Sequence, residues 1–263
     1  MQVNSMEWIQ ISAGYSHTCG INKDKYLYCW GALVGDGTEF PKTTPTKIGT
    51  DKWLNFSAGN YHKCGIKEDN FLYCWGENTE GHLGIGTSGI NEKKNEPTKV
   101  GTDEWLEVEC GSSHTCGIKK SDNKLYCWGY NRTGQLGIGS LENKNIPTKV
   151  SDEVWYDFNV GREHSCGLNS SKSLYCWGRN DYGQLGDGTG GEEIGNSENN
   201  KSVPTLIDSN SWTIFTLGGY HTCSQKEGEK ELYCWGNNDS GQVGTGTCDS
   251  LNRASPVRVE FTY

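Results

Sequence analysis

The sequence predicts an all-β protein made of five repeats, each with four short antiparallel strands. Ten tryptophans fall into two alternating registers along the 263 residues, and the pattern repeats about every fifty residues. Apolar, β-branched and aromatic residues alternate with period two between glycine or Asx turns. The first register is Trp8, Trp53, Trp105, Trp155 and Trp212, and the second is Trp30, Trp75, Trp128, Trp177 and Trp235. No stretch has a helical period, so the repeat is a β unit.

Repeat two shows the strands in order. The first begins at Trp53 and ends at a Gly-x-x turn, and the second begins at His62 and contains Cys64. The third is the string 72–76, Leu-Tyr-Cys-Trp-Gly, and the fourth follows a variable loop and contains Pro97. The repeats cover approximately residues 1–48, 49–100, 101–150, 151–207 and 208–263. We expect them to form a single domain over residues 1–263.

The repeats must stack, because a four-stranded unit cannot bury both of its faces alone. Stacking leaves a β-propeller or a β-solenoid. A repeat of about fifty residues suits a propeller blade better than a solenoid coil of roughly 20 to 29 residues. The sequence therefore favours a propeller.

The repeat resembles that of the regulator of chromosome condensation family. The shared strings are Gly-x-x-His-x-Cys, then Leu-Tyr-Cys-Trp-Gly-x-Asn-x-x-Gly-Gln-Leu-Gly-x-Gly, then Pro-x-x-Val, and they recur along the whole chain. The resemblance implies a β-propeller, most often with seven blades. With five repeats, a closed five-bladed ring is favoured, and a segment of a seven-bladed ring is the alternative.

Ten of the twelve cysteines occur as one pair per repeat. Placing Cys64 opposite Cys74 in a hairpin also places Ile66 opposite Leu72, on the same face. Directly opposed β-carbons lie about 4.5 to 5.5 Å apart, close to the separation that a disulfide requires. Five disulfides are therefore predicted: Cys19–Cys29, Cys64–Cys74, Cys116–Cys127, Cys166–Cys176 and Cys223–Cys234. Zinc is a rival because His62 lies nearby, but the repeat offers no fourth ligand and no Cys-x-x-Cys pair.

The cysteines also indicate the compartment. Disulfides persist in oxidising places, so we expect the protein to be secreted, on a cell surface or in a secretory lumen. Cys110 stands where other repeats have a small residue, and Cys248 lies in a loop. The sequence allows a disulfide between these two cysteines or a disulfide from either of them to another chain.

Charge and hydropathy exclude two classes of partner. The net charge is −9 and the pI is about 5.2, which argues against nucleic acid, because phosphate binding depends on Lys and Arg. No run approaches the roughly 20 apolar residues of a spanning helix. We expect no membrane insertion.

The histidines do not predict catalysis. One recurs per repeat, at His17, His62, His114, His164 and His221. Catalysis requires one asymmetric constellation, whereas five equivalent copies indicate a structural role such as hydrogen bonding to backbone. His82 stands where other repeats have glutamine and is expected to be an exposed loop residue. No catalytic residue, cofactor or metal is predicted.

Binding residues are expected where the repeats differ, at the two residues between Gly and His and at the residue after Cys-Trp-Gly. Turns at one register in every blade should lie on one propeller face, and tyrosine and arginine are favoured in interfaces. The predicted binding residues are Tyr15, Tyr61, Tyr130, Arg162, Glu163, Arg179 and Tyr220. The alternative is that the tyrosines only pack on neighbouring blades. Asn169 and Asn200 are candidate glycosylation sites.

The favoured function is non-enzymatic protein binding by a secreted or cell-surface propeller, alone or as a subunit of an extracellular homo- or hetero-assembly. The resemblance to secreted bacterial family members implies one alternative, an inhibitor of an extracellular enzyme. A lectin or enzyme with a site in the central channel is the second. The third is an intracellular guanine-nucleotide exchange factor, the activity of the family's founding member, which free thiols would favour.

Overall fold

The computed structural model describes residues 6–191 and 196–260. These residues form eighteen β-strands and one short 3₁₀ helix, Ser197–Asn199. The strands are β1 Trp8–Ala13, β2 His17–Asn22, β3 Tyr26–Gly31, β4 Lys42–Ala58, β5 His62–Lys67, β6 Phe71–Gly76, β7 Lys94–Cys110, β8 His114–Lys119, β9 Leu125–Gly129, β10 Lys144–Lys149, β11 Trp155–Val160, β12 His164–Asn169, β13 Leu174–Gly178, β14 Lys201–Asp208, β15 Trp212–Leu217, β16 His221–Lys226, β17 Leu232–Gly236 and β18 Arg253–Arg258. Across these ranges, no helix is long and apolar enough to cross a membrane.

The strands are distributed over two compact units. Unit one contains the residues up to 130 together with 143–148, and unit two contains 131–142 together with the residues after 148. In unit one, β1 to β10 hydrogen-bond in sequence order, whereas β11 to β14 and β15 to β18 form two separate four-stranded sheets. All strand pairs with a described register are antiparallel. The prediction of an all-β chain with five four-stranded units is confirmed.

Two strands are long because each serves two blades. The first part of β4, from Lys42 to Lys52, pairs with β3, and its last six residues, 53–58, pair with β5. The strand β7 divides in the same way, pairing first with β6 and then, from Trp105, with β8. Each blade therefore runs from its first-register tryptophan to the strand that contains the Pro-x-x-Val signature. We number the blades one to five in chain order.

The predicted pairing of the second and third strands of each blade is also confirmed. Cys64 pairs with Cys74, and Ile66 pairs with Leu72, as the hairpin alignment requires. All five predicted disulfides are present, each with a Cα–Cα distance of 4.1 Å. Each bridge therefore joins the second and third strands of one blade.

The glycine after the second-strand cysteine lets a tryptophan lie flat on that strand. A β-carbon on Gly65 would come within 2.7 Å of the Trp53 ring. At Gly65 this contact leaves no room for a side chain, which explains the Cys-Gly pair of blades one to four. In blade five Ser224 takes this place, and its hydroxyl donates to the Ile214 carbonyl at 2.9 Å.

The two tryptophan registers meet inside each blade. Trp53 and Trp75 are both buried, with ring centroids 5.7 Å apart. In blades two to five both indoles are buried, whereas Trp8 and Trp30 of blade one are half-buried. Burying these rings removes a large apolar area from water, which offsets the small number of aliphatic residues. The other pairs are Trp8–Trp30, Trp105–Trp128, Trp155–Trp177 and Trp212–Trp235, at 5.5 to 6.2 Å.

Blades two and three of unit one are joined by two donors on a single carbonyl, an arrangement that we call the shared-carbonyl lock. The Thr115 hydroxyl and the Trp128 indole N–H both donate to the His82 carbonyl, at 2.7 and 3.0 Å. Thr115 Oγ1 also lies 2.7 Å from His62 Nε2. Because the hydroxyl hydrogen is already donated, His62 Nε2 must carry the proton in this bond.

The same lock occurs in unit two. The Ser165 hydroxyl and the Trp177 indole donate to the Gln135 carbonyl at 2.9 and 3.0 Å. In blade five, Thr222 donates to the Gln184 carbonyl at 2.9 Å. The residue between His and Cys therefore carries a contact with the loop of the preceding blade, a role that its variable identity in the sequence does not reveal.

Replacing Thr115 with valine is expected to destabilise the protein by about 1 to 3 kcal/mol. Valine keeps the shape of threonine but leaves His62 Nε2 and one lone pair of the His82 carbonyl without this partner inside the fold. The measurement is the free energy of unfolding in guanidinium chloride. Thr18→Val is the matched control, since Thr18 is the equivalent residue of blade one and is only half-buried. Equal losses in the two variants would contradict the role of the lock.

The histidines depart from expectation in two ways. His82 is 2% exposed, so the prediction of an exposed loop histidine is wrong. Its ring packs against that of His62, with centroids 4.6 Å apart, because the loop that supplies the lock carbonyl is pressed between two blades. The histidines also differ from the expected backbone bonding, because His62 and His164 pair with threonine hydroxyls.

Lys63 occupies the position of the lock hydroxyl in blade two and is fully buried. Its ammonium group donates to the carbonyls of Ala32 and Leu33 at 3.2 and 2.8 Å. Repeat one has a shortened loop, and the long lysine side chain reaches its carbonyls. Burial lowers the pKa of Lys63 to about 7.

Candidate functional site

The strand order places two sets of predicted binding residues at the same end of each blade. The Gly-x-x turn joins the first and second strands, and the residue after Cys-Trp-Gly begins the loop from the third strand to the fourth. In every blade the backbone N–H of that residue donates to the carbonyl of the residue before the histidine. The pairs are Ala32–Ser16, Glu77–Tyr61, Tyr130–Ser113, Arg179–Glu163 and Asn237–Tyr220, at 2.8 to 3.0 Å. We call this end of each blade the turn end.

The glycine before each of these residues permits the contact. Gly76 has a φ of +112°, and a β-carbon there would lie 2.6 Å from the Tyr61 carbonyl oxygen. Only glycine tolerates both the backbone conformation and the close approach. The Cys-Trp-Gly string therefore positions the turn end as well as the core.

Unit two carries a charged and aromatic cluster at its turn end. Arg179 donates to Asp181 through Nε and Nη2, at 2.7 and 2.6 Å, and to Glu163 Oε2 through Nη1 at 2.8 Å. These hydrogen bonds, with Asp181 contributing most, raise the pKa of Arg179 above its usual value. Three bonds to two carboxylates hold the guanidinium plane in one orientation.

Two tyrosines complete this cluster. The rings of Tyr182 and Tyr220 are stacked at a tilt, with centroids 4.8 Å apart, and Arg179 lies 5.7 and 5.3 Å from them. Arg162 lies 5.1 Å from the Tyr220 ring and is exposed. Among the described residues, no carboxylate lies within 4 Å of the Arg162 guanidinium. We call residues Arg162, Glu163, Arg179, Asp181, Tyr182 and Tyr220 the Arg/Tyr cluster.

The predicted residues of unit one form a smaller group. Tyr15 is 78% exposed and Tyr61 is 46% exposed, and their ring centroids lie 6.2 Å apart. Tyr130 lies at the turn end of blade three and is half-buried. The structure therefore brings together Tyr15 with Tyr61, and four of the remaining predicted residues with one another.

The sequence missed Asp181 and Tyr182. Both follow the residue after Cys-Trp-Gly, in positions that also vary among the repeats, but the prediction used only the first variable position of that loop. Asp181 is 2% exposed, and its carboxylate is directed at Arg179. Reading the whole variable segment before the next glycine would have found both residues.

The cavity beside the cluster is small. It has a volume of about 120 Å³ and is lined by Thr133, Arg179, Asp181, Asn196, Ser197 and Asn200. Pockets for small organic ligands are usually about 300 to 1,000 Å³. The site therefore suits a side chain from a partner surface better than an enclosed small molecule.

The two candidate glycosylation sites differ in their surroundings. Asn169 ends β12, is 8% exposed, and its side-chain oxygen accepts from the backbone of Ser171 and Ser173. Asn200 is half-buried next to the 3₁₀ helix, and its side-chain oxygen accepts from Asn180. Burial of Asn169 disfavours a sugar there, which leaves Asn200 as the more accessible of the two.

The comparisons with known proteins agree with the repeat. The family model of the RCC1-like domain matches residues 1–263. Human HERC6, a probable E3 ubiquitin-protein ligase, is 27% identical over 148 residues, which are 52% of this chain and 14% of HERC6. The ultraviolet-B receptor UVR8 of Arabidopsis thaliana is 30% identical over 190 residues, which are 70% of this chain and 40% of UVR8.

A solved structure shows the same fold. Yeast RCC1 (Prp20), crystallised bound to Kap60, is similar with a TM-score of 0.83 at 21% identity, over 98% of this chain and 62% of that chain. At this identity the likeness shows the β-propeller fold alone. The chain spans less than two thirds of the length of each of these three proteins.

Proposed function

This chain belongs to the RCC1-like domain family, and we propose that it is a secreted or cell-surface protein that binds another protein through the turn ends of its blades, without catalysis. The observation that carries the proposal is the Arg/Tyr cluster of unit two. Relatives of the family support protein binding in general, since yeast RCC1 was crystallised with Kap60.

The disulfides support the proposed location. Five cross-strand bridges join neighbouring strands in the five blades. Such bridges form and persist in oxidising compartments and are rare in the cytosol. A subunit role in an extracellular assembly, or inhibition of an extracellular enzyme, would use the same surface.

The geometry of the cluster suits a protein interface. Arg179 is fixed by its carboxylates, and the stacked tyrosines have little rotational freedom, so binding costs them little conformational entropy. Arg162 keeps its guanidinium N–H groups available while its plane lies near Tyr220. Buried arginine and tyrosine side chains at the centre of an interface commonly dominate its binding energy.

Catalytic alternatives lack support from the histidines. His62, His82 and His114 are all buried, and burial holds the pKa of each well below its usual value. Buried, neutral groups without access to solvent are poorly placed as general acids or bases. The intracellular exchange-factor alternative draws on the likeness to yeast RCC1, and the state of the cysteines tests it.

The double variant Arg162→Ala/Tyr220→Ala tests the surface. Immobilised wild-type and variant protein are incubated with extracellular fluid from the source organism, and captured proteins are quantified by mass spectrometry. We expect at least one partner whose dissociation constant, measured afterwards with the purified partner, is weakened at least about tenfold, equivalent to roughly 1.4 kcal/mol.

The matched control is Lys230→Ala. Lys230 is exposed in the turn between β16 and β17, at the opposite end of the blade that carries Tyr220. This variant is expected to keep the wild-type affinity. Partners that bind the double variant as tightly as the wild type, or that are weakened equally by the control, would contradict the proposed surface.

A further inference from the structure

A free thiol lies beside one of the five disulfides. Cys110 ends β7, in blade three, and Cys64 lies on β5, in blade two. The sulfur atoms of Cys110 and Cys64 and a ring nitrogen of His62 all lie within 4.8 Å of one another, and all three residues are buried. This group joins two blades of unit one, and the proposed function does not use it.

The thiol is particular to this junction. In the strand register, the residues equivalent to Cys110 are Ala13, Ala58, Val160 and Leu217. No other blade therefore places a third sulfur at this position. A buried small side chain would satisfy the packing, so the thiol adds chemistry that the fold does not require.

Metal binding does not fit this group in its present state. Cys64 is bonded to Cys74, and a disulfide sulfur is not the thiolate that zinc or copper requires. The remaining ligands would be one imidazole and one thiol. The neighbourhood of a thiol and a disulfide instead permits exchange between them.

We propose that Cys64 has two alternative disulfide partners, Cys74 in its own blade and Cys110 in the next blade. In the exchange, the Cys110 thiolate attacks the sulfur of Cys64, a Cys64–Cys110 bond forms, and the Cys64–Cys74 bond breaks. Cys74 leaves as a thiolate and takes up the proton that Cys110 lost. The number of disulfides is unchanged, and no oxidant or reductant is consumed.

His62 lies beside these sulfur atoms as a buried imidazole. Its Nε2 is bonded to Thr115, and its Nδ1 has no hydrogen-bond partner inside the fold. Because burial holds the pKa of this imidazole well below its usual value, we assign it no role as a base, and the proton passes from Cys110 to Cys74 in the exchange. Burial raises the pKa of the Cys110 thiol, which keeps the thiolate rare and the exchange slow at neutral pH.

The exchange would replace a link within one blade with a link between blades. The Cys64–Cys74 bridge ties β5 to β6, whereas Cys64–Cys110 would tie β5 to the end of β7. The first strand of blade three would then be covalently attached to blade two. Cys74 would remain as a thiol.

Cys74→Ser tests the second partner directly, with Cys29→Ser as the matched control in blade one. The wild type has two free thiols, Cys110 and Cys248. The control leaves Cys19 without its disulfide partner, and the neighbouring blade has Ala58 at the position of Cys110. Three free thiols are therefore expected in the control: Cys19, Cys110 and Cys248. In Cys74→Ser, after folding with glutathione disulfide as the two-electron acceptor, Cys64 and Cys110 should pair and leave one free thiol.

The readout is alkylation in denaturant followed by peptide mapping. A peptide cross-linked between Cys64 and Cys110, together with one alkylated thiol, would support the proposal. Three alkylated thiols in Cys74→Ser, or pairing of Cys64 with Cys248, would overturn it.

A second measurement covers the case in which Cys74→Ser does not fold. Folded wild-type protein at mildly alkaline pH is treated with substoichiometric dithiothreitol, quenched with N-ethylmaleimide and mapped without further reduction. The Cys64–Cys110 peptide is expected, with Cys74 alkylated, and the same treatment of Cys110→Ala is the control. The proposal would be overturned if the Cys64–Cys74 bridge opens, both of its cysteines are alkylated, and no Cys64–Cys110 peptide is found.

Discussion

The free energy of unfolding is expected to fall steeply as the pH is lowered from about 6.5 towards 3. Burial lowers the pKa of His17 and His114 to about 3 and that of His82 to about 4, from 6.5. In the unfolded chain these imidazoles take up protons that the folded protein excludes. Their stabilising contribution is therefore present above pH 6.5 and is lost as the pH falls through this window.

The expected loss is large. Each histidine contributes a slope of about 1.4 kcal/mol per pH unit while it is charged only in the unfolded chain. Three such residues give about 4 kcal/mol per unit, against a typical total stability of about 5 to 15 kcal/mol. Guanidinium unfolding followed by tryptophan fluorescence at about pH 7.5, 6 and 5 measures the slope.

His82→Gln is the control for this pH dependence. Glutamine is the residue at the equivalent place in three other repeats, as Gln135, Gln184 and Gln242. The backbone carbonyl of residue 82, which accepts both lock hydrogen bonds, is retained. We expect the pH slope of the free energy of unfolding to decrease by about 1.4 kcal/mol per pH unit, the contribution of one histidine. A free energy of unfolding that stays level down to pH 4 in either protein would contradict the prediction.

Reduction of the disulfides is expected to unfold the chain. Each bridge closes a loop with a sequence separation of 10 or 11 residues, and in the chain-entropy model such a bridge stabilises the fold by about 2.7 kcal/mol. Five bridges together contribute about 13 kcal/mol, which is comparable to the whole stability of a typical domain. Near-ultraviolet circular dichroism and tryptophan fluorescence before and after complete reduction measure the effect.

The same samples test the compartment. Intact mass after alkylation in denaturant should show two modified thiols without reductant and twelve with it, because ten of the twelve cysteines are bridged. Protein purified from its native source is required, since oxidation during purification would mask the native state. Twelve modified thiols without reductant would refute the bridges and favour an intracellular location, and a cooperative unfolding transition after full reduction would contradict their energetic role.

The sequence by itself determined the contacts that are close along the chain. The disulfide partners are 10 or 11 residues apart on adjacent strands, so period-two alternation and a short turn fix their register. The same alternation identifies the buried tryptophans and the strand order within each repeat. Variation at the turn residues singled out Arg162, Glu163, Arg179 and Tyr220, which the structure brings together.

Only the tertiary structure decided how side chains meet between blades. The lock joins Thr115 to His82 across 33 residues, and Lys63 reaches Ala32 across 31. Cys110 and Cys64 likewise belong to different blades. These contacts depend on how far one sheet is displaced over its neighbour and on the length of the intervening loop, and neither quantity is encoded in a local pattern. That is why a histidine expected on the surface is buried, and why a small buried cysteine lies beside a disulfide.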